Sequence, residues 1–133
     1  MKKRLLSLSL KLAKDKLVNH PERSHYAHYS FIVQNNKIVE WATNVNFEPP
    51  IHYGYHTNSD PSFCPKFHAE IFAYKRARGI LDDESFEVIN IRLNKTGSVR
   101  LSKPCKHCFR FMKAMNCRKF YYSSEAGFLT LKS

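Results

Sequence analysis

Apolar residues recur every three or four positions over residues 4–18, where Leu5, Leu8, Leu12 and Val18 share one helical face and Lys11, Lys14 and Asp15 fall largely elsewhere. The spacing predicts an amphipathic helix that ends before His20-Pro21 and covers a sheet. Residues 26–33 and 37–43 are rich in aromatic and β-branched types, and Gln34-Asn35-Asn36 supplies turn chemistry between them, which predicts a hairpin. Residues 44–66 hold four of the six prolines, with aromatics and histidines in no steady period. They read as a long loop of the kind retained for function.

Helical spacing resumes at about residue 67 and runs to residue 78, where Gly79 offers a C-terminal stop. Ile89, Ile91 and Leu93 share one face of a strand over 86–93, and Asn94-Lys95-Thr96-Gly97 turns the chain. Ser102-Lys103-Pro104 then leads into a third helix over 105–115 that groups Cys108, Phe109 and Met112. A strand over 118–122, a turn over 123–127 and a last strand over 128–131 complete the order α-β-β-α-β-α-β-β. That order predicts an α/β architecture, a mixed sheet between helices. The 133 residues suit one domain, 1–133.

No apolar run approaches the ~20 residues that cross a bilayer, so no membrane span is expected. The basic and apolar N-terminus is broken by Lys11, Lys14 and Lys16 and has no small-residue cleavage pattern, so it reads as a helix and not a signal peptide. With four cysteines, two of them spaced Cys105-x-x-Cys108, the chain reads as intracellular, using thiols for metal or redox chemistry in a reducing compartment, cytoplasmic or nuclear.

His68-Ala69-Glu70 opens the second helix and Pro104-Cys105-Lys106-His107-Cys108 opens the third. This spacing matches the zinc-deaminase signature H-x-E…P-C-x-x-C. One imidazole and two thiolates fill three tetrahedral positions of a zinc ion and leave the fourth for water, whose pKa the metal depresses. Cysteines at a helix N-terminus are stabilised as thiolates by the dipole and the unpaired N–H groups. Glu70, two residues from His68, is spaced to serve as a proton shuttle between water and leaving ammonia. Cys64 and His68 with Cys105 and Cys108 would also make a closed structural zinc site, and a lone C-x-x-C can be a redox pair.

On these motifs and the order of elements, the sequence resembles the cytidine deaminase superfamily over nearly its whole length. The resemblance implies an α-β-α sandwich around a mixed five-stranded sheet. The turn over 123–127 is too short for the helix that separates the last two strands in tRNA adenosine deaminases and APOBEC proteins, which implies an antiparallel final hairpin. Asn44-Val45-Asn46 resembles the N-V-E segment that holds the ribose in free-nucleoside cytidine deaminases, with Asn46 in place of the Glu. Asn44 and Asn46 are thus implied as substrate contacts, together with Ala69 between the His and the Glu. The departure at Asn46 weakens the grip on a free 3′-hydroxyl and leaves room for a continuing strand. Ser102-Lys103 before Pro-Cys is closer to polynucleotide deaminases than the Leu-Glu common in nucleoside enzymes.

Charge points the same way. The chain carries 22 Lys and Arg against 11 Asp and Glu, a formal net charge of +11. Between Glu87 and Glu125 there is no acidic residue, while nine Lys and Arg, including Arg100, Lys103, Lys106 and Arg110, bracket both cysteines of the motif. A mononucleotide needs only one or two cations, so this run suits several phosphates of a single strand, unless it is merely a solvated surface. Tyr26, Tyr53 and Tyr55 are candidates for stacking against an extruded base. The leading expectation is a Zn2+-dependent hydrolytic deaminase that converts cytosine to uracil in single-stranded DNA or RNA. The alternatives are a free cytidine or deoxycytidine deaminase, an adenosine deaminase acting on nucleic acid, and a non-catalytic zinc-stabilised nucleic-acid-binding module.

Overall fold

The computed structural model describes residues 2–18, 27–43, 69–94, 96–104 and 106–132. Helix α1, Lys2–Val18, packs on one face of the sheet through Leu5, Ser9 and Ala13, all buried, whereas Leu8 is 43% exposed. The expected stripe of Leu5, Leu8 and Leu12 is therefore rotated onto an i, i+4 row containing two small side chains. Small residues at the contact let the helix approach the sheet closely, and Leu6, Leu10, Leu12 and Leu17 fill the flanks.

Strands β1, Ala27–Gln34, and β2, Lys37–Thr43, form the expected antiparallel hairpin. Its two loop residues, Asn35 and Asn36, both have positive φ, 54° and 63°, the conformation that matches the twist of the flanking strands and that asparagine tolerates. Helix α2, Ala69–Leu81, does not stop at Gly79. Leu81 is 2% exposed, and burying a leucine contributes about 1.5–3 kcal/mol, more than the roughly 1 kcal/mol that an interior glycine costs a helix. The helix runs on to seat Leu81 and ends through Asp82 and Asp83, both at positive φ.

Strand β3, Phe86–Leu93, is the centre of the sheet, antiparallel to β1 on one side and parallel on the other to β5, Cys117–Ser124. A two-residue strand, β4, Val99–Arg100, which sequence periodicity did not reveal, pairs with Arg92 and Leu93 beyond the last β3–β5 pair. The preceding turn is held by the Asn94 carboxamide oxygen, which accepts from the amides of Thr96 at 3.0 Å and Ser98 at 2.8 Å. Helix α3, Lys106–Ala114, precedes β5, which begins at Cys117, one residue before the expected start. The expected final hairpin is present: β6, Gly127–Lys132, lies antiparallel to β5.

The sheet order is β2-β1-β3-β5-β6, the expected five-stranded mixed sheet, with β4 as a sixth strand beside β3. Alternate residues serve two cores, as the period of a strand requires. Phe31, Val33, Ile89 and Ile91 face α1, whereas Ile32, Val88 and Phe120 face the other layer with Leu81 of α2 and Met112 of α3. Among the described residues, no helix is long and apolar enough to cross a membrane.

Candidate functional site

The face covered by α2 carries a line of polar residues through an otherwise apolar core. Glu70, in the first turn of α2, is 1% exposed. Asn90 lies in the interior of β3 and Ser30 is its direct partner on β1, and both are fully buried. Buried polar groups are costly unless hydrogen-bonded, and here each of the three side chains makes at least one hydrogen bond. The Ser30 hydroxyl donates to the Asn90 carboxamide oxygen. The Asn90 amide donates to Glu70 Oε2 at 2.8 Å and to the carbonyl of Ser102 at 3.3 Å. One side chain thus joins the start of α2 to the segment that leads into α3.

Ser102, in the segment that leads into α3, is a fastening point. Its backbone N–H donates to the carbonyl of Ser123 at 2.9 Å, its hydroxyl donates to the carbonyl of Asn90 at 3.0 Å, and the Ser123 N–H donates to Ser102 Oγ at 2.7 Å. Ser123 Oγ donates in turn to the carbonyl of Arg100 at 2.7 Å and accepts from the Arg92 N–H at 3.1 Å. The chain ahead of Pro104 is therefore tied to both β3 and β5.

Cys108 is buried in the first turn of α3. Helices α2 and α3 pack on the same side of the sheet, with the Tyr74 and Phe111 rings in an edge contact, centroids 5.5 Å apart. His68 and Cys105 lie outside the described residues, each one position upstream of the start of its helix. Among the described residues, no group of three or more His, Cys, Asp or Glu could hold a metal. The donor set nevertheless suits zinc in its chemistry, one imidazole and two thiols.

Ala69 is fully buried beside Glu70. Asn44, Asn46, Tyr26, Tyr53, Tyr55 and Cys64 lie outside the described residues. Lys103, Lys106 and Arg110 are exposed, and Arg100 directs its guanidinium to Glu125 Oε2 at 3.1 Å. Cys117 is a packed thiol whose pKa burial pushes up to about 12, and its Sγ donates to the carbonyl of Lys119 at 3.2 Å. Ser30, Asn90 and Ser123 were missed from the sequence. The available signal was one uncharged polar residue, Asn90, inside the strongly apolar run of β3.

No family model matches the chain, and no curated protein matches it in sequence. Among solved structures, the cytidine deaminase from Mycobacterium leprae superposes with a TM-score of 0.53 at 13% identity, over 91% of this chain and 88% of that one. The fold is cytidine deaminase-like. At that identity the likeness concerns architecture, and the chemistry has to be argued from this chain's own residues.

Proposed function

We propose that the protein is a zinc-dependent hydrolytic deaminase that converts cytosine to uracil in single-stranded nucleic acid. The observation that carries the reading is the bridge made by Asn90: one carboxamide reaches both Glu70 of the H-x-E motif and Ser102, two residues before Pro104. His68, Cys105 and Cys108 are the ligands in this reading. Bound zinc would supply Lewis acidity that makes water nucleophilic near neutral pH. Glu70 takes a proton from the attacking water and delivers it to the amino nitrogen on C4 of cytosine, so that water is consumed and ammonia leaves.

The polynucleotide part of the reading is supported by exposed Lys103, Lys106 and Arg110 around the start of α3 and by Asn46 in place of the acidic residue that grips a free ribose. A free-nucleoside deaminase is the second reading, favoured by the similarity in fold to a protein that is itself a cytidine deaminase. Incubating the zinc-loaded protein with cytidine, deoxycytidine and random single-stranded DNA and RNA, followed by sequencing and nucleoside chromatography, separates the two. Turnover confined to oligonucleotides supports the proposal, and turnover confined to nucleosides overturns its polynucleotide part. Glu70→Ala should retain one zinc per chain and lose turnover. An active Glu70→Ala protein would remove Glu70 from the mechanism.

A further inference from the structure

Resting on the deaminase reading above, we propose that Asn90, oriented by Ser30, is a positioning residue that fixes the Glu70 carboxylate for proton transfer. The amide can sit only one way round. Its oxygen faces the Ser30 hydroxyl, and its nitrogen faces two acceptors, Glu70 Oε2 at 2.8 Å and the Ser102 carbonyl at 3.3 Å. Turning the group over would set its oxygen against a carboxylate and a carbonyl, acceptor against acceptor. Both amide hydrogens are used, and the choice follows from the partners.

The support behind Asn90 is rigid. Ser30 and Asn90 are directly paired across β1 and β3, both are fully buried, and the flanking Ile32 and Val88 are packed in the core beneath α2. The Glu70 side chain, which has three rotatable bonds, is thereby held from the sheet and not only from its own helix. A neutral donor suits this task, because it fixes an oxygen in place without the permanent counter-charge that a lysine or arginine would bring. Proton transfer depends steeply on such placement: a displacement of about 1 Å costs on the order of 100-fold in rate.

The test uses the full chain and the substrate turned over by the wild type. With Asn90→Ala, kcat should fall by about 10- to 100-fold, while KM stays within about threefold and zinc content stays at one per chain. Ser30→Ala, a smaller change that guards against misfolding of the first variant, should lower kcat by several-fold with the same unchanged KM and zinc content. A kcat within twofold of wild type for Asn90→Ala, or a fall in zinc content that matches the fall in kcat, overturns the proposal. A second readout needs no activity: thermal midpoints of metal-free wild type, Asn90→Ala, Glu70→Ala and the double variant should be non-additive, the double variant losing less than the sum of the single losses. Additive losses overturn the coupling of Asn90 to Glu70. Absence of wild-type turnover on every substrate overturns the deaminase reading instead, and the metal-free cycle still decides whether the two side chains are coupled.

Discussion

Ser102 and Ser123 grip each other in both directions: the N–H of Ser102 donates to the carbonyl of Ser123 at 2.9 Å, and the N–H of Ser123 donates to the hydroxyl oxygen of Ser102 at 2.7 Å. The pair pins the segment before Pro104 to the end of β5, and both serines are buried. Ser102→Ala removes the acceptor for the Ser123 amide in a site that water does not reach. It should destabilise the protein by about 1–3 kcal/mol, measured by urea unfolding. An unchanged unfolding midpoint would mean that the hydroxyl is dispensable there.

Lys106, Arg110 and Lys113 follow one another at spacings of four and three along α3, and all are exposed. That spacing puts them on one helical stripe facing solvent. If the stripe tracks a single strand, replacing all three by Gln should flatten the dependence of log affinity on log salt by about 2, since each phosphate contact contributes roughly 0.7. Fluorescence anisotropy with a labelled oligonucleotide across a salt series measures the slope. Arg100→Gln should change it less, because its guanidinium already faces Glu125.

Gly79 lies inside α2, is exposed, and a Cβ added to it would meet nothing within 4 Å. Gly79→Ala should therefore stabilise the protein by about 0.5–1 kcal/mol through the lower entropy of the unfolded chain. A lower thermal midpoint for this variant would contradict the helical assignment at that position.

The raised pKa of Cys117 makes an alkaline prediction. Its thiol ionises near 9.0 in an unfolded chain and near 12 when folded, because burial disfavours the thiolate and Glu87 adds repulsion. The folded state thus keeps a proton that the unfolded state gives up, so its contribution to stability is complete below pH 9 and falls as pH rises toward 12. Tyr121, raised by burial and then by Glu87, acts in the same direction. Cys117→Ala should lose less stability than wild type between pH 8 and about 10.5, narrowing any gap between them. Parallel denaturation curves at the two pH values would refute the assignment.

Much of the fold could be read from local pattern, because strand and helix periods are properties of short segments. The Asn35-Asn36 turn was readable for that reason, as was the shortness of the last turn, which excludes an intervening helix. Gly79 misled because a local stop signal was outweighed by the burial of Leu81 two residues later, and α1 turned because Ser9 and Ala13 let it lie closer to the sheet than Leu8 would. Strand β4 exists only because β3 extends past its last pair with β5, which no two-residue segment can announce.

From sequence alone came the chemical inventory, His68, Glu70, Cys105 and Cys108, because a motif is a spacing along the chain. Which residue holds Glu70 was decided by tertiary structure. Asn90 meets Glu70 across a separation of 20 residues and Ser30 across 60, through the registry of two strands and the seating of a helix on them. A hydrogen bond senses only distance and direction in space, and those are set when the sheet closes and its core excludes water.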